Sequence, residues 1–183
     1  MSTKTEATVE DLYRVPENGK AEILDGELRV MAPTGFLPNR ASSKIWLRLY
    51  EYEQRTGTGY AIADNAGFLV NLPHRKSFSP DAAFYTGQPT GGKFLDGAPV
   101  FAVEVRSEGD YGPAADQAIA AKRADYFAAG TQVVWDVDVL KEGWIKAYRA
   151  DAPDQPQIFR RGEIANAEPA VPGWSMSVDE LFV

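Results

Sequence analysis

Apolar and polar positions change period several times along this chain. Ala21-Glu-Ile-Leu24 and Glu27-Leu-Arg-Val-Met31 alternate around Asp25-Gly26, and a two-residue Asp-Gly step between alternating segments predicts a β-hairpin. Ahead of it, Thr8 followed by Val9-Glu-Asp-Leu-Tyr13 predicts a short capped helix with acids in its first turn. Pro16-Glu-Asn-Gly19 closes that helix. Over residues 39–55 the period becomes helical: Ala41, Ile45, Leu49 and Tyr52 recur on one face, which should look into the core. Gly57-Thr-Gly59 ends this long helix. Residues 60–63 and 67–72 then read as antiparallel strands and 80–85 as another short strand. Residues 86–97, rich in Gly with Pro89, read as a flexible loop.

The next pattern is the most informative. In Pro99-Val-Phe-Ala-Val-Glu-Val-Arg-Ser107 the β-formers Val100, Phe101, Val103 and Val105 show little alternation, which predicts a central strand covered on both faces. One carboxylate, Glu104, lies inside it. An acid there is costly to bury unless it is paired or binds a cation. Pro113 opens a helix running to Ala129, with Gly130 as its stop signal. Residues 132–137 predict a strand and Trp144-Ile-Lys-Ala-Tyr-Arg149 its hairpin partner. Beyond Ala150, prolines at 153, 156, 169 and 172 predict mostly loop and short edge strands, with a helical turn at Val178-Asp-Glu-Leu-Phe182. With no internal repeat or linker, the expectation is one α/β domain over residues 1–183.

Composition narrows the chemistry. The chain has 183 residues, enough for one sizeable core, and 44% hydrophobic with 25% charged residues is ordinary for a globular protein. It has no cysteine, which excludes disulfides, thiolate zinc sites and a cysteine nucleophile. A single histidine, His74, argues against a Ser-His-Asp triad or a multi-histidine metal site. The first residues lack an apolar signal region and no apolar run approaches membrane-spanning length, so the expectation is a soluble cytoplasmic protein with no membrane partner. The net charge of −7 argues against tight non-specific DNA binding, although a local basic strip on an acidic body still binds phosphates. Acidity also suits carboxylates gathered around a metal.

Asp81, after Pro80, opens one strand, and Glu104 lies deep in another. If those strands are neighbours, the two carboxylates converge, and two hard oxygen ligands with open water positions suit Mg²⁺. Such an ion polarises a phosphoryl oxygen and acidifies bound water, and a nearby lysine can neutralise developing charge. Two cations compete for that place. Arg106, two residues past Glu104, shares its face in a strand, while Lys122 lies on the following helix. On a helical wheel Lys122 falls among Ala118, Tyr126 and Ala129, and Arg123 falls between Ile119 and Phe127, so periodicity does not choose between them. Arg40, Lys44 and Arg48 form a stripe on the long helix, with Arg55 in line and Glu51 interrupting. It reads as a solvated face on base rates and as a ridge of candidate DNA contacts on the sharper reading.

Each acid also has a plain structural reading. Asp81 could hold a turn hydrogen bond, Glu104 could form a structural ion pair with Lys122 or Arg106, and Glu22 could be an ordinary surface acid. Asp136 is another acid within an apolar run. His74 reads as an exposed loop residue, and Trp46 and Trp135 as core.

Several pieces, in order, carry a resemblance: Glu22-Ile-Leu-Asp-Gly-Glu27, Pro33-Thr-Gly-Phe36 before the long helix, Pro80-Asp81, Val103-Glu-Val-Arg-Ser107, and Lys122 with Tyr126, Gly130, Trp135 and Asp136. Over most of its length, roughly Glu22 to Phe182, the chain resembles the Uma-type restriction-endonuclease family within the PD-(D/E)xK nuclease superfamily. The resemblance implies a restriction-endonuclease-like core, a central mixed β-sheet flanked by helices. It also implies hydrolysis of DNA phosphodiester bonds with Mg²⁺ or Mn²⁺, in an assembly expected to be a homodimer. Asp81 and Glu104 would be the metal-binding acids, Glu22 an additional acid at the site, and Lys122 the catalytic lysine, supplied from the helix. Arg106 takes the superfamily's usual lysine position and joins Arg40, Lys44 and Arg48 as a candidate DNA contact. Two departures stand out: Phe36-Leu-Pro-Asn39 lacks the histidine the family often carries there, and an arginine at position 106 stays protonated and cannot act as a base. They motivate an alternative, a catalytically inactive nuclease-fold protein serving as a DNA-binding or protein-interaction module.

Overall fold

The computed structural model describes residues 6–16 and 19–183; the expected closing turn at 16–19 therefore lies partly outside the described residues. A short helix α1 (Val9–Tyr13) begins with a capping box in which the Thr8 and Asp11 side chains each accept from the other's backbone N–H. The hairpin follows as β1 (Ala21–Leu24) and β2 (Glu27–Val30). Asp25 and Gly26 both take positive φ, 53° and 69°, which is what a tight two-residue connection between right-twisted strands needs. Helix α2 (Phe36–Thr56) starts three residues earlier than its apolar period indicated.

The chain continues through β3 (Tyr60–Ala63), β4 (Phe68–Leu69), β5 (Ser77–Phe78), β6 (Ala82–Tyr85), β7 (Leu95–Asp96) and β8 (Phe101–Val105). Helix α3 (Pro113–Ala128) leads to β9 (Val133–Asp138), β10 (Trp144–Arg149) and β11 (Ala152–Arg160). The described chain closes with β12 (Ile164–Asn166), β13 (Ser175–Ser177) and a 3-10 turn at Val178–Leu181.

Six strands form the main sheet in the order β11-β10-β9-β8-β6-β3. Only β8 and β9 run parallel, as the α3 crossover between them allows; the other neighbours are antiparallel. The sheet is therefore mixed, with β8 inside it as its unalternating sequence required. Side chains on one face of β8, Phe101, Val103 and Val105, share a core with Ala41, Ile45, Leu49 and Tyr52 of α2 and with Trp174, Met176 and Leu181 of the C-terminal part. On the other face Ala102 joins Tyr126 of α3 and Phe68, Phe78, Ala83 and Tyr85. Glu104 follows Ala102 on that second face, because side chains alternate along a strand.

Three expectations change. Strands β3 and β4 do not pair with each other: β3 lies against β6, and Phe68–Leu69 forms a separate three-stranded sheet, order β5-β4-β7. The chain turns away at Asn65 (φ 65°), and Phe68 is fully buried in an edge-on contact with Tyr85. Part of the expected flexible loop at 86–97 is β7, held parallel to β4. The proline-containing segment after Ala150 makes a nine-residue strand rather than short pieces. It lies at the sheet edge, where Pro153 and Pro156 need give up no hydrogen bond to a further strand, and its register shifts between Ala147 and Arg149 of β10.

Candidate active site

The β6–β8 pairing answers whether Asp81 and Glu104 lie on neighbouring strands. Ala82 faces Val103, and the Asp81 N–H donates to the Val103 carbonyl at 3.0 Å. The Val105 N–H in turn donates to Asp81 Oδ2 at 2.7 Å, so one oxygen of Asp81 ties the ends of β6 and β8 together. Asp81, Glu104 and Lys122 line one cleft of about 530 Å³, whose walls also include Lys20, Pro33 and Thr34. Glu104 keeps 25% of its side chain exposed, so it is reachable from this cleft.

Lys122, not Arg106, meets Glu104. Its Nζ stands 2.8 and 2.9 Å from the two Glu104 oxygens and 2.9 Å from Glu22 Oε1. One turn later on α3, the Tyr126 hydroxyl donates to Glu104 Oε1 at 2.6 Å, as residues four apart share a helix face. Glu22 is held from two further sides: the Ser79 N–H donates to Oε1 and Arg75 Nη1 to Oε2, at 2.8 and 2.7 Å. Arg75 continues the network to Asp125 at 2.7 Å, where His74 Nε2 also lies 2.7 Å away. The plain reading of Glu22 as a surface acid fails, because it is 6% exposed and bound by two cations.

These contacts set the charges. Burial pushes the Glu104 carboxyl above its ordinary range; Lys122 opposes this, and the neighbouring charges of Asp81 and Glu22 add to the rise. Burial acts on Glu22 in the same sense, but Lys122, Arg75 and the Ser79 N–H outweigh it and hold its carboxyl low. Lys122 is desolvated too, yet Glu104 and Glu22 keep its ammonium protonated well above the usual lysine range. Tyr126, desolvated and facing Glu104, stays neutral far beyond ordinary phenols.

Lys20 is the residue the sequence reading missed. Its ammonium lies 2.6 Å from Asp81 Oδ1 and 2.7 Å from Asp64 Oδ1 and is 13% exposed. Burial opposes its charge, but the carboxylates of Asp81, Glu104 and Asp64 raise its pKa overall. A signal was available: Lys20 precedes Glu22 by two, so as β1 begins the two share a face. Arg75 and Asp125 offered no comparable signal.

Arg106 lies just past β8 and makes a two-pronged pair with Asp136 at 2.8 and 2.7 Å, with a further contact to Asp116 at 2.8 Å. That also accounts for the acid within β9. The candidate ridge lies on α2, across the sheet from Glu104. There Lys44 donates to the Phe182 carbonyl and Arg48 pairs with Glu51 and Glu180. Arg40 is exposed.

As metal ligands, Asp81 and Glu104 offer two carboxylates facing one cleft. Among the described residues no group of three or more His, Cys, Asp or Glu side chains is arranged to hold an ion.

No curated protein matches the chain. Among solved structures, the fold is similar to that of a chain described as "a putative nuclease belonging to DUF820" from Anabaena variabilis. That match has a TM-score of 0.74 at 16% identity and covers 96% of this chain and 97% of the other. The shared architecture is a mixed sheet flanked by helices, a restriction-endonuclease-like core. Residues 9–179 match the profile of Uma2, described as "Putative restriction endonuclease". With nearly its whole length matched, the chain belongs to the Uma2 family.

Proposed function

We propose that this protein is a divalent-metal-dependent endonuclease that hydrolyses DNA phosphodiester bonds, a nuclease-like domain over residues 1–183 working in the cytoplasm as a homodimer. The observation that carries the reading is the meeting of Asp81, Glu104 and Lys122 at one open cleft. The dimer rests on family analogy, since cutting both strands takes two sites.

The residues present fit Mg²⁺ or Mn²⁺. Magnesium uses one or two carboxylates and completes its shell with waters and substrate oxygens, so Asp81 and Glu104 suffice in a cleft of about 530 Å³. Burial is the main cause of the raised Glu104 pKa, and the repulsion from Asp81 and Glu22 that adds to it is relieved by a bound cation. Once bound, the ion supplies Lewis-acid polarisation of a phosphoryl oxygen and an acidified water. The chain supplies the rest. Lys122, kept protonated, is a fixed positive charge rather than a base, and it stabilises negative charge developing on the phosphate. Glu22, itself anchored by Arg75 and Ser79, holds Lys122 in place, and the Tyr126 hydroxyl orients Glu104.

A second reading, an inactive nuclease fold used for DNA binding or protein interaction, draws on different observations. Both oxygens of Asp81 and of Glu104 already hold donors, Lys20, the Val105 N–H, Lys122 and Tyr126. The strand position carries Arg106 instead of lysine. Plasmid nicking separates the two. The expected outcome is Mg²⁺-dependent conversion of supercoiled to relaxed DNA, abolished by EDTA and by Asp81→Asn or Glu104→Gln. Wild-type protein that neither cuts DNA nor binds Mn²⁺ in calorimetry belongs to the second reading.

A further inference from the structure

Beside the acidic cleft lies a second cavity of about 340 Å³, and Arg106, Ile119 and Asp136 line both. Besides Arg106, three cations of this second groove rest on aromatic rings. The Arg123 guanidinium carbon is 3.6 Å from the Tyr148 ring centre, Lys141 Nζ is 3.8 Å from that of Tyr111, and Lys146 Nζ is 4.1 Å from that of Trp144. None of the three takes part in an ion pair among the described residues, although the chain carries a net charge of −7. The acids of the groove are occupied elsewhere. Asp116 and Asp136 hold Arg106, Asp138 accepts from the Tyr111 hydroxyl and the N–H groups of residues 140–142, and Glu142 accepts from Trp144. The lining thus balances four cations against four acids, and Arg123, Lys141 and Lys146 are the cations whose donors face the cavity with no carboxylate partner among the described residues.

Sheet register ties this groove to the cleft. Glu104 pairs with Asp136, and Asp136 with Lys146, so the three side chains form one row on the same face. Two strand spacings put Lys146 about 10 Å from Glu104 across the sheet. That is roughly the axial rise of three phosphates along one DNA strand, at about 3.4 Å each.

We propose that Arg123, Lys141 and Lys146 form the track that holds the sugar-phosphate backbone of DNA as it leads into the Asp81–Glu104 cleft. The choice of DNA as ligand rests on the function proposed above; the location of the track does not. Stacking on rings fixes long side chains that would otherwise lose rotamer freedom on binding. It also occupies one face of each ring with a phosphate-binding cation, so recognition is of phosphate and independent of sequence.

The test is fluorescence anisotropy of short labelled duplexes of two unrelated sequences, in EDTA, over a range of salt. Arg123→Met and Lys146→Met keep the aliphatic stem over the ring and so preserve packing, and Lys141→Ala alters an exposed side chain. Each should weaken both duplexes equally and make the slope of log K against log salt shallower by about 1, or by about 2 for Arg123→Met with Lys146→Met. Arg161→Ala, at an exposed arginine paired with Asp179 and outside both grooves, should leave the slope unchanged. Folded variants that bind as tightly as wild type, or that weaken one sequence only, overturn the proposal. If those variants bind normally while the wild type cuts DNA with Mg²⁺, the track fails and the hydrolase reading stands. If binding falls as expected but no metal supports cutting, the track stands and the hydrolase reading fails.

Discussion

Lys122 serves two carboxylates at once, and that decides what its loss does. Removing its ammonium leaves Glu22 and Glu104 facing each other with less positive charge between them, and breaking such a buried arrangement costs about 3–5 kcal/mol. Lys122→Met should therefore lower unfolding free energy by that order in urea titrations, and adding Glu22→Gln should recover part of it, because the two sites are coupled. An undiminished stability of Lys122→Met would show that the pair is solvated and weak. Lys20 acts in the opposite sense on metal. Its ammonium sits on Asp81, and Asp64 offers it a second partner. Lys20→Met should tighten Mn²⁺ binding, about tenfold for each 1.4 kcal/mol of competition removed, whereas Asp64→Asn should weaken it. Calorimetry reads both directly, and looser binding in Lys20→Met would make Lys20 a support for Asp81 rather than its competitor.

Helix α3 explains why two neighbouring cations looked equivalent in the sequence. It is rich in alanine, only Asp125 and Tyr126 are buried on it, and so it has little amphipathic contrast to orient a wheel. Orientation comes instead from Tyr126, whose ring stacks on Phe78 with centroids 4.0 Å apart and planes 14° from parallel. With Tyr126 fixed, Lys122 points one turn back to Glu104 and Arg123 points across to Tyr148. The stop signal was fully legible: Gly130 sits at φ 106°, a conformation hostile to a Cβ. Gly130→Ala should cost about 1–2 kcal/mol, read as a lower denaturant midpoint, even though nothing lies within 4 Å of the added carbon. An unchanged midpoint would mean that the turn relaxes. The long helix α2 was equally legible, because Ala41, Ile45 and Leu49 are each fully buried at the spacing the sequence shows.

Across the molecule, the charge network predicts an alkaline limit to stability. Lys20 and Lys122 have folded pKa values raised above their unfolded values, and Tyr126 is raised well above its own. Such groups contribute fully below the unfolded values, near pH 10, and their stabilisation is lost as pH climbs through the folded values, since the unfolded chain sheds protons the native state retains. Urea midpoints should hold up to about pH 10 and fall as the pH rises above it, and more gently in Lys122→Met, which has lost one of these protons. On the acid side Glu22, with its lowered pKa, contributes above its unfolded value and loses that contribution as pH falls through the folded one, while Glu104, shifted upward, works against it. Among the described residues no helix is long and apolar enough to cross a membrane.

Local pattern was enough to determine the hairpin at Asp25-Gly26, both long helices, the buried central strand and the misfit of Glu104 within it. Each depends on residues close in sequence, whose periodicity or turn chemistry is written in order. Tertiary structure alone decided that β3 pairs with β6 rather than β4, that Lys122 and not Arg106 reaches Glu104, and that Lys20 and Arg75 enter the acid cluster. Those choices are contacts between residues about 20 to 60 positions apart, settled by which buried faces pack together and which buried charges find a partner.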